Sequence, residues 1–86
     1  MGLIAINKVV RKDSPIHYRR AYKGVAVVDV GGMRSEARVD FVLEMSPLGT
    51  HSVDVFLFDK IDYSEDALKA ELKSAIERLD EKKKLP

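Results

Sequence analysis

Basic and aromatic side chains lie close together near the start of the chain, and this combination can bind nucleic acids. Residues 1–23 contain six Lys or Arg residues and one acid, whereas residues 24–86 contain nine basic and thirteen acidic residues. Cations neutralise phosphates, and flat rings stack on bases. The alternative is an ordinary solvated surface whose cations pair locally, Arg19 with Glu44 and Lys23 with Asp40. The candidate nucleic-acid contacts in this segment are Lys8, Tyr18, Arg19, Arg20 and Lys23.

A second candidate surface is one face of the sheet that the sequence predicts. An antiparallel sheet covered on one side should be polar on the other. Under the register derived below, this outer face instead carries Val25, Val27, Val42, Phe56 and Phe58 beside the cations Arg19, Lys23, Arg34 and Arg38. An apolar patch rimmed by cations is typical of a contact surface.

Three occupants of that face are open at this point. They are a second copy of the chain, the first strand with its loop folded over, and single-stranded nucleic acid whose bases stack on Phe56 and Phe58. The nucleic-acid candidates therefore also include Arg38, Phe56 and Phe58. The alternative dimer interface consists of Val25, Val27, Val42, Phe56 and Phe58.

No residue pattern predicts catalysis or metal binding. The acidic group Asp59, Asp62, Glu65 and Asp66 lacks the ligand spacing of a calcium loop, and helix capping explains it. His17 and His51 lie in predicted loops without metal-ligand spacing. Neither a nucleophile elbow nor a glycine-rich phosphate loop is present. We expect no enzymatic activity, cofactor, metal or small-molecule substrate.

Length and composition limit the architecture to one domain spanning residues 1–86. The chain is 45% hydrophobic and 34% charged, which is typical of a globular protein. Cysteine is absent, so disulfides and cysteine-based metal sites are excluded. No apolar run approaches the roughly 20 residues that cross a bilayer, and we find no secretory leader. We expect a soluble, cytoplasmic protein that has no membrane partner.

Hydrophobic periodicity predicts four strands, at about 3–11, 22–30, 34–45 and 52–58, followed by a helix at about 64–82. Gly31 and Gly32 suit a two-residue hairpin turn. After Asp59 the period changes to the helical spacing of Leu68, Leu72, Ala75, Ile76 and Leu79.

The turn at Gly31 and Gly32 also predicts the register of its hairpin, because it pairs residues whose numbers sum to 63. Asp29 then faces Arg34, Lys23 faces Asp40, and Arg19 faces Glu44. The opposite face becomes apolar, with Tyr22 beside Phe41. Five loop residues after Met45 make the next pair of strands sum to 96, which sets Phe58 opposite Arg38.

These patterns predict an α+β fold: a four-stranded, mostly antiparallel meander with the C-terminal helix on one face. The position of the first strand in the sheet is left open. We expect a non-catalytic module that binds single-stranded nucleic acid through its basic segment and Phe-bearing face. The alternative is a homodimeric structural or regulatory interaction domain without a nucleic-acid role.

Overall fold

The structure is a computed structural model that describes residues 2–12 and 18–86. Four strands and one helix follow in the predicted order. They are β1 (Gly2–Lys12), β2 (Arg19–Val30), β3 (Met33–Met45), β4 (His51–Leu57) and α1 (Glu65–Glu81). The strands form one antiparallel sheet in the order β1-β2-β3-β4, which confirms the predicted α+β meander. His17 lies outside the described residues.

The register of the β2–β3 hairpin is the predicted one along its whole length, including Arg19 opposite Glu44. Gly31 and Gly32 both have positive φ angles, 59° and 84°, as a two-residue hairpin turn requires. The one difference is that β2 begins at Arg19 and not near Tyr22. The longer strand follows from pairing at the far end of the hairpin, where the Met45 amide donates to the Tyr18 carbonyl at 3.0 Å.

The β3–β4 hairpin also has the predicted register, with Asp40 opposite Phe56. The amide of Phe58 donates to the carbonyl of Arg38 at 3.0 Å, so pairing extends one residue beyond β4. The connecting turn is closed by a bond of 2.9 Å from the Gly49 amide to the Ser46 carbonyl.

The hydrophobic core lies between one sheet face and α1. Tyr22 and Phe41, predicted neighbours, stack with ring centroids 5.1 Å apart. The helix contributes Leu68, Leu72 and Ile76 at i, i+4 and i+8, the spacing of one helical stripe. The core comprises Tyr22, Ala26, Val28, Val39, Phe41, Leu43, Val53, Val55, Leu68, Leu72 and Ile76.

Local signals set the start of α1. The Ser64 hydroxyl accepts a hydrogen bond of 3.3 Å from the Ala67 amide, and Glu65 and Asp66 occupy the first turn. A side-chain acceptor and negative charge both stabilise a helix N-terminus. Within residues 2–12 and 18–86, no helix is long and apolar enough to cross a membrane.

β1 is an edge strand beside β2, and its pairing is interrupted by a bulge. The register changes between Asn7 and Val10, and Lys8 has φ of 54°, in the left-handed region. Opposite the bulge lies Gly24. A Cβ at Gly24 would be 3.2 Å from the Asn7 carbonyl oxygen, so only glycine lets β1 approach this closely.

The bulge changes which side chains reach each face. Ile6 and Val9 both pack on the core, whereas Val10 stands in register with Lys23 on the opposite face. Strict alternation from Ile6 would have sent Val10 to the core. The extra residue at Lys8 therefore determines the composition of the outer face at its β1 edge.

Candidate interaction surface

The sheet face turned away from α1, here called the open face, is built by alternate residues of all four strands. The registers bring together the residues that the sequence placed there: Arg19, Lys23, Val25, Val27, Arg34, Arg38, Val42, Phe56 and Phe58. They also add Val10 and Lys12 from β1. The sequence analysis missed these two residues because Lys8 carries no signal for a bulge.

The open face has an apolar band across the strands. Val27 and Val42 are only 8% exposed although α1 covers the other face, so neighbouring side chains of the open face shield them. Phe56 and Phe58 on β4 and the segment after it are 52% and 58% exposed, and Val10 at the opposite edge is 50% exposed. A partner therefore has apolar surface available mainly at the two edges.

The charges of the open face are balanced. Five residues in register on this face are basic and five are acidic: Lys12, Arg19, Lys23, Arg34 and Arg38, and Asp29, Glu36, Asp40, Glu44 and Asp54. Opposite charges lie next to each other across the strands, as Lys23 and Asp40 do. Such a surface does not have the excess positive charge that a polyanion favours.

Ion pairs neutralise part of the basic set. Arg19 Nε lies 3.7 Å from Glu44 Oε1, as the local-pairing alternative predicted. The second predicted pair differs. Lys23 and Asp40 are register partners, but Lys12 Nζ contacts Asp40 Oδ2. The β1 bulge brings Lys12 onto this face, which is why the sequence assigned the wrong cation to Asp40.

Arg38 is fixed by a two-pronged contact with Asp59. Its Nε and Nη2 donate to the two carboxylate oxygens at 3.0 and 2.8 Å, and its backbone amide donates to Oδ2 at 2.9 Å. These hydrogen bonds lower the pKa of Asp59 to about 2 and raise the pKa of Arg38. The sequence analysis had assigned Asp59 only to helix capping.

A shallow groove of about 530 Å³ crosses the open face between β1 and the segment after β4. Its apolar lining includes Val10, Val25 and Phe58. Lys8 and Lys23, two of the predicted nucleic-acid contacts, lie at its margin. The groove thus joins the two exposed apolar edges of the open face.

Arg20 does not join this surface. Its residue position alternates onto the side of Tyr22, and its Nη2 donates to Asp80 Oδ1 of α1 at 2.8 Å. The hydrogen bond to Asp80 raises the pKa of Arg20. Tyr22, whose hydroxyl donates to the Pro86 carbonyl at 3.0 Å, adds a second link to the C-terminal segment. Arg20 therefore connects the helix to the sheet, and strand alternation was the signal that could have separated it from Arg19.

Tyr18 lies at the far end of the sheet from Phe58. Its carbonyl bonds to Met45, whereas Phe58 pairs with Arg38. Seven residues of β3 separate these two contacts, which is about 23 Å. Tyr18 is exposed, beside Glu44 and Pro47. One short ligand segment cannot stack on Tyr18 and on Phe58 at the same time.

Among the described residues, no group of three or more His, Asp or Glu side chains could hold a metal ion. The acidic residues near α1 have structural partners in Arg38 and in the N-terminal turn of the helix. His51 begins β4 and is exposed. The geometry of this region matches the capping interpretation.

The comparisons with known proteins bear on the family of the chain. No curated protein and no solved structure is significantly similar to it. A family match extends over residues 1–81, which includes all four strands and all of α1. The chain belongs to the BB_0187 family.

Proposed function

We propose that this protein is a non-catalytic interaction domain that forms a homodimer through its open face. The observation that carries the proposal is the charge balance of that face around an apolar band. Exposed apolar patches larger than those of a typical monomer mark contact sites, and a balanced charge pattern suits another protein surface. A second copy of the chain presents such a pattern by definition.

Nucleic-acid binding is the weaker alternative for the same residues. Arg19, Arg38 and Lys12 contact carboxylates, so a phosphate has to displace an existing partner at each of them. Lys8 and Lys23 beside Phe58 are the remaining support for this hypothesis. The cytoplasmic location stays a prediction, based on the absence of cysteine.

Sedimentation velocity of the purified protein tests the proposal. The wild type is measured over a series of concentrations, alone and with a fluorescent single-stranded oligonucleotide at about 50 mM salt, where phosphate contacts are strongest. We expect a concentration-dependent dimer and no comigration of the oligonucleotide. Comigration at low salt with a monomeric protein contradicts the proposal and supports the nucleic-acid alternative.

Two variants locate the contact. Phe58→Asp adds a carboxylate to the open face, and Leu48→Asp adds the same charge to a turn residue that is 94% exposed. We expect Phe58→Asp to be monomeric and Leu48→Asp to dimerise as the wild type does. Both substituted side chains are exposed, so circular dichroism should show both variants folded. Equal dimerisation of the two variants excludes the open face as the interface.

A further inference from the structure

Two adjacent rows of the open face have complementary compositions. One row runs across the sheet as Val10, Lys23, Asp40 and Phe56, and we call it the Lys23 row. The next row runs as Asn7, Val25, Arg38 and Phe58, and we call it the Val25 row. On β3 the two rows present opposite charges, and beyond it both present a phenylalanine.

We propose that two copies pack open face to open face about a two-fold axis that crosses the strands between these two rows. This inference rests on the proposed function and specifies its geometry. Each Val25 row then lies over the Lys23 row of the other copy. Arg38 meets the partner's Asp40, and Phe58 meets the partner's Phe56. The two copies are reversed end for end.

The same axis also matches the ends of the sheets. Arg34, near the β2–β3 turn, comes to lie over the partner's Glu44, and Asp29 over the partner's Arg19. No pair of like charges arises among these register positions. Opposite charges across an interface fix its orientation and disfavour other arrangements.

Other symmetric arrangements fit less well. A two-fold axis along either row sets a charge on its own copy, Arg38 over the partner's Arg38 or Lys23 over the partner's Lys23. An axis parallel to the strands between β2 and β3 keeps opposite charges together. It nevertheless places Val27 over the partner's Glu36 and Phe58 over the partner's Asn7. Only the crossing axis matches both the charges and the phenylalanines.

The groove on the open face supports the same choice. It is lined by members of both rows, including Val10, Val25 and Phe58, and therefore runs where the axis is placed. Four strands about 4.8 Å apart, overlapping over about 30 Å, give a footprint of about 600 Å² per copy. Standard interfaces bury about 800 Å² per partner, so we expect a reversible dimer.

Spin labels at the two ends of the sheet distinguish the arrangements. The chain has no cysteine, so single labels can be attached at Met33→Cys and Met45→Cys. Both residues are exposed, 73% and 48%, and neither alternates onto the open face. Each lies six residues along β3 from the midpoint between Arg38 and Asp40, so the two positions are equivalent under the proposed axis.

Double electron–electron resonance on the dimer gives the decisive distances. The proposed axis predicts about 45 Å between two Met33 labels and about 45 Å between two Met45 labels. A mixture of the two labelled chains should add a short distance of about 20 Å, which is the separation of packed sheets extended by two label arms that point outward.

The outcomes separate this inference from the proposed function. A distance near 20 Å between two Met33 labels places the axis along the strands and overturns the inference, while the open-face dimer stands. A dimer that is unaffected by Phe58→Asp contradicts the proposed function, and with it the inference. A protein that is monomeric at the concentrations of the resonance experiment overturns both.

Discussion

The substitution Gly24→Ala tests whether β1 packs as tightly on β2 as the structure indicates. The added Cβ would lie 3.2 Å from the Asn7 carbonyl oxygen, 3.3 Å from Ile6 Cγ2 and 3.4 Å from Val9 Cγ2. All three distances are shorter than ordinary van der Waals contacts of about 3.5–4.0 Å. The two methyl groups belong to β-branched side chains that are stiff at χ1, and the carbonyl belongs to the backbone. β1 therefore has to move away from β2.

Two terms of opposite sign determine the stability of this variant. Overpacking a close contact costs about 1–3 kcal/mol. Replacing glycine by alanine reduces the conformational entropy of the unfolded chain, which returns about 0.4–1 kcal/mol. The net expectation is a loss of about 0.5–2 kcal/mol. A domain of this size has a free energy of unfolding of roughly 4–13 kcal/mol, so the variant should still fold.

Urea unfolding followed by far-ultraviolet circular dichroism measures this loss. We expect a lower midpoint with an unchanged dependence on urea concentration, because the folded state stays compact. Val9→Ala, alone and combined with Gly24→Ala, is the companion measurement. Removing the Val9 methyl relieves one contact, so the combined loss should be smaller than the sum of the single losses. If Gly24→Ala stabilises the protein, β1 does not approach Gly24 closely and the bulge at Lys8 is misplaced.

Three further predictions concern the Arg38–Asp59 pair, the core and the helix cap. The pKa of Asp59 is lowered to about 2, so its contribution to stability is present above about pH 4 and is lost as the pH falls towards 2. Asp59→Asn should reduce the acid sensitivity of the urea midpoint in that range, and parallel pH profiles for variant and wild type would contradict this assignment. Leu72→Ala, at a fully buried helix position, should cost about 2–5 kcal/mol in thermal unfolding, well above the cost of Leu79→Ala at a half-buried one. Ser64→Ala should cost about 1 kcal/mol and Ser64→Asp should restore most of it, whereas equal losses would exclude a capping role.

The register of strands β2, β3 and β4 could be predicted because short turns leave few alternatives. Once Gly31 and Gly32 form the turn, every partner in the hairpin follows, and a slip by one residue would expose the apolar face. Charge pairs such as Asp29 with Arg34 independently favoured the same register. The helix stripe was equally clear from its spacing.

The placement of β1 could not be predicted for a physical reason. A strand without a short turn to its neighbour has no fixed register, and its connection passes through residues 13–17. The bulge at Lys8 adds a second difficulty, because a left-handed backbone at lysine has no sequence signature, unlike one at glycine. The partners of Asp40 and the position of Val10 both depend on that bulge. The charge balance of the open face was therefore only partly visible from sequence.

Salt dependence distinguishes the two hypotheses for the open face by its magnitude and not by its direction. A complex with single-stranded nucleic acid loses affinity steeply, because the logarithm of the binding constant falls by about 0.7 per phosphate contact for each tenfold rise in salt. A dimer of balanced faces also contains opposite charges, such as Arg38 and the partner's Asp40, and salt screens them. Its apolar contacts at Phe56, Phe58 and Val10 are not screened, so dissociation should depend only weakly on salt. A steep slope would thus indicate counterion release from a polyanion, and a shallow slope would indicate contact between two balanced protein surfaces.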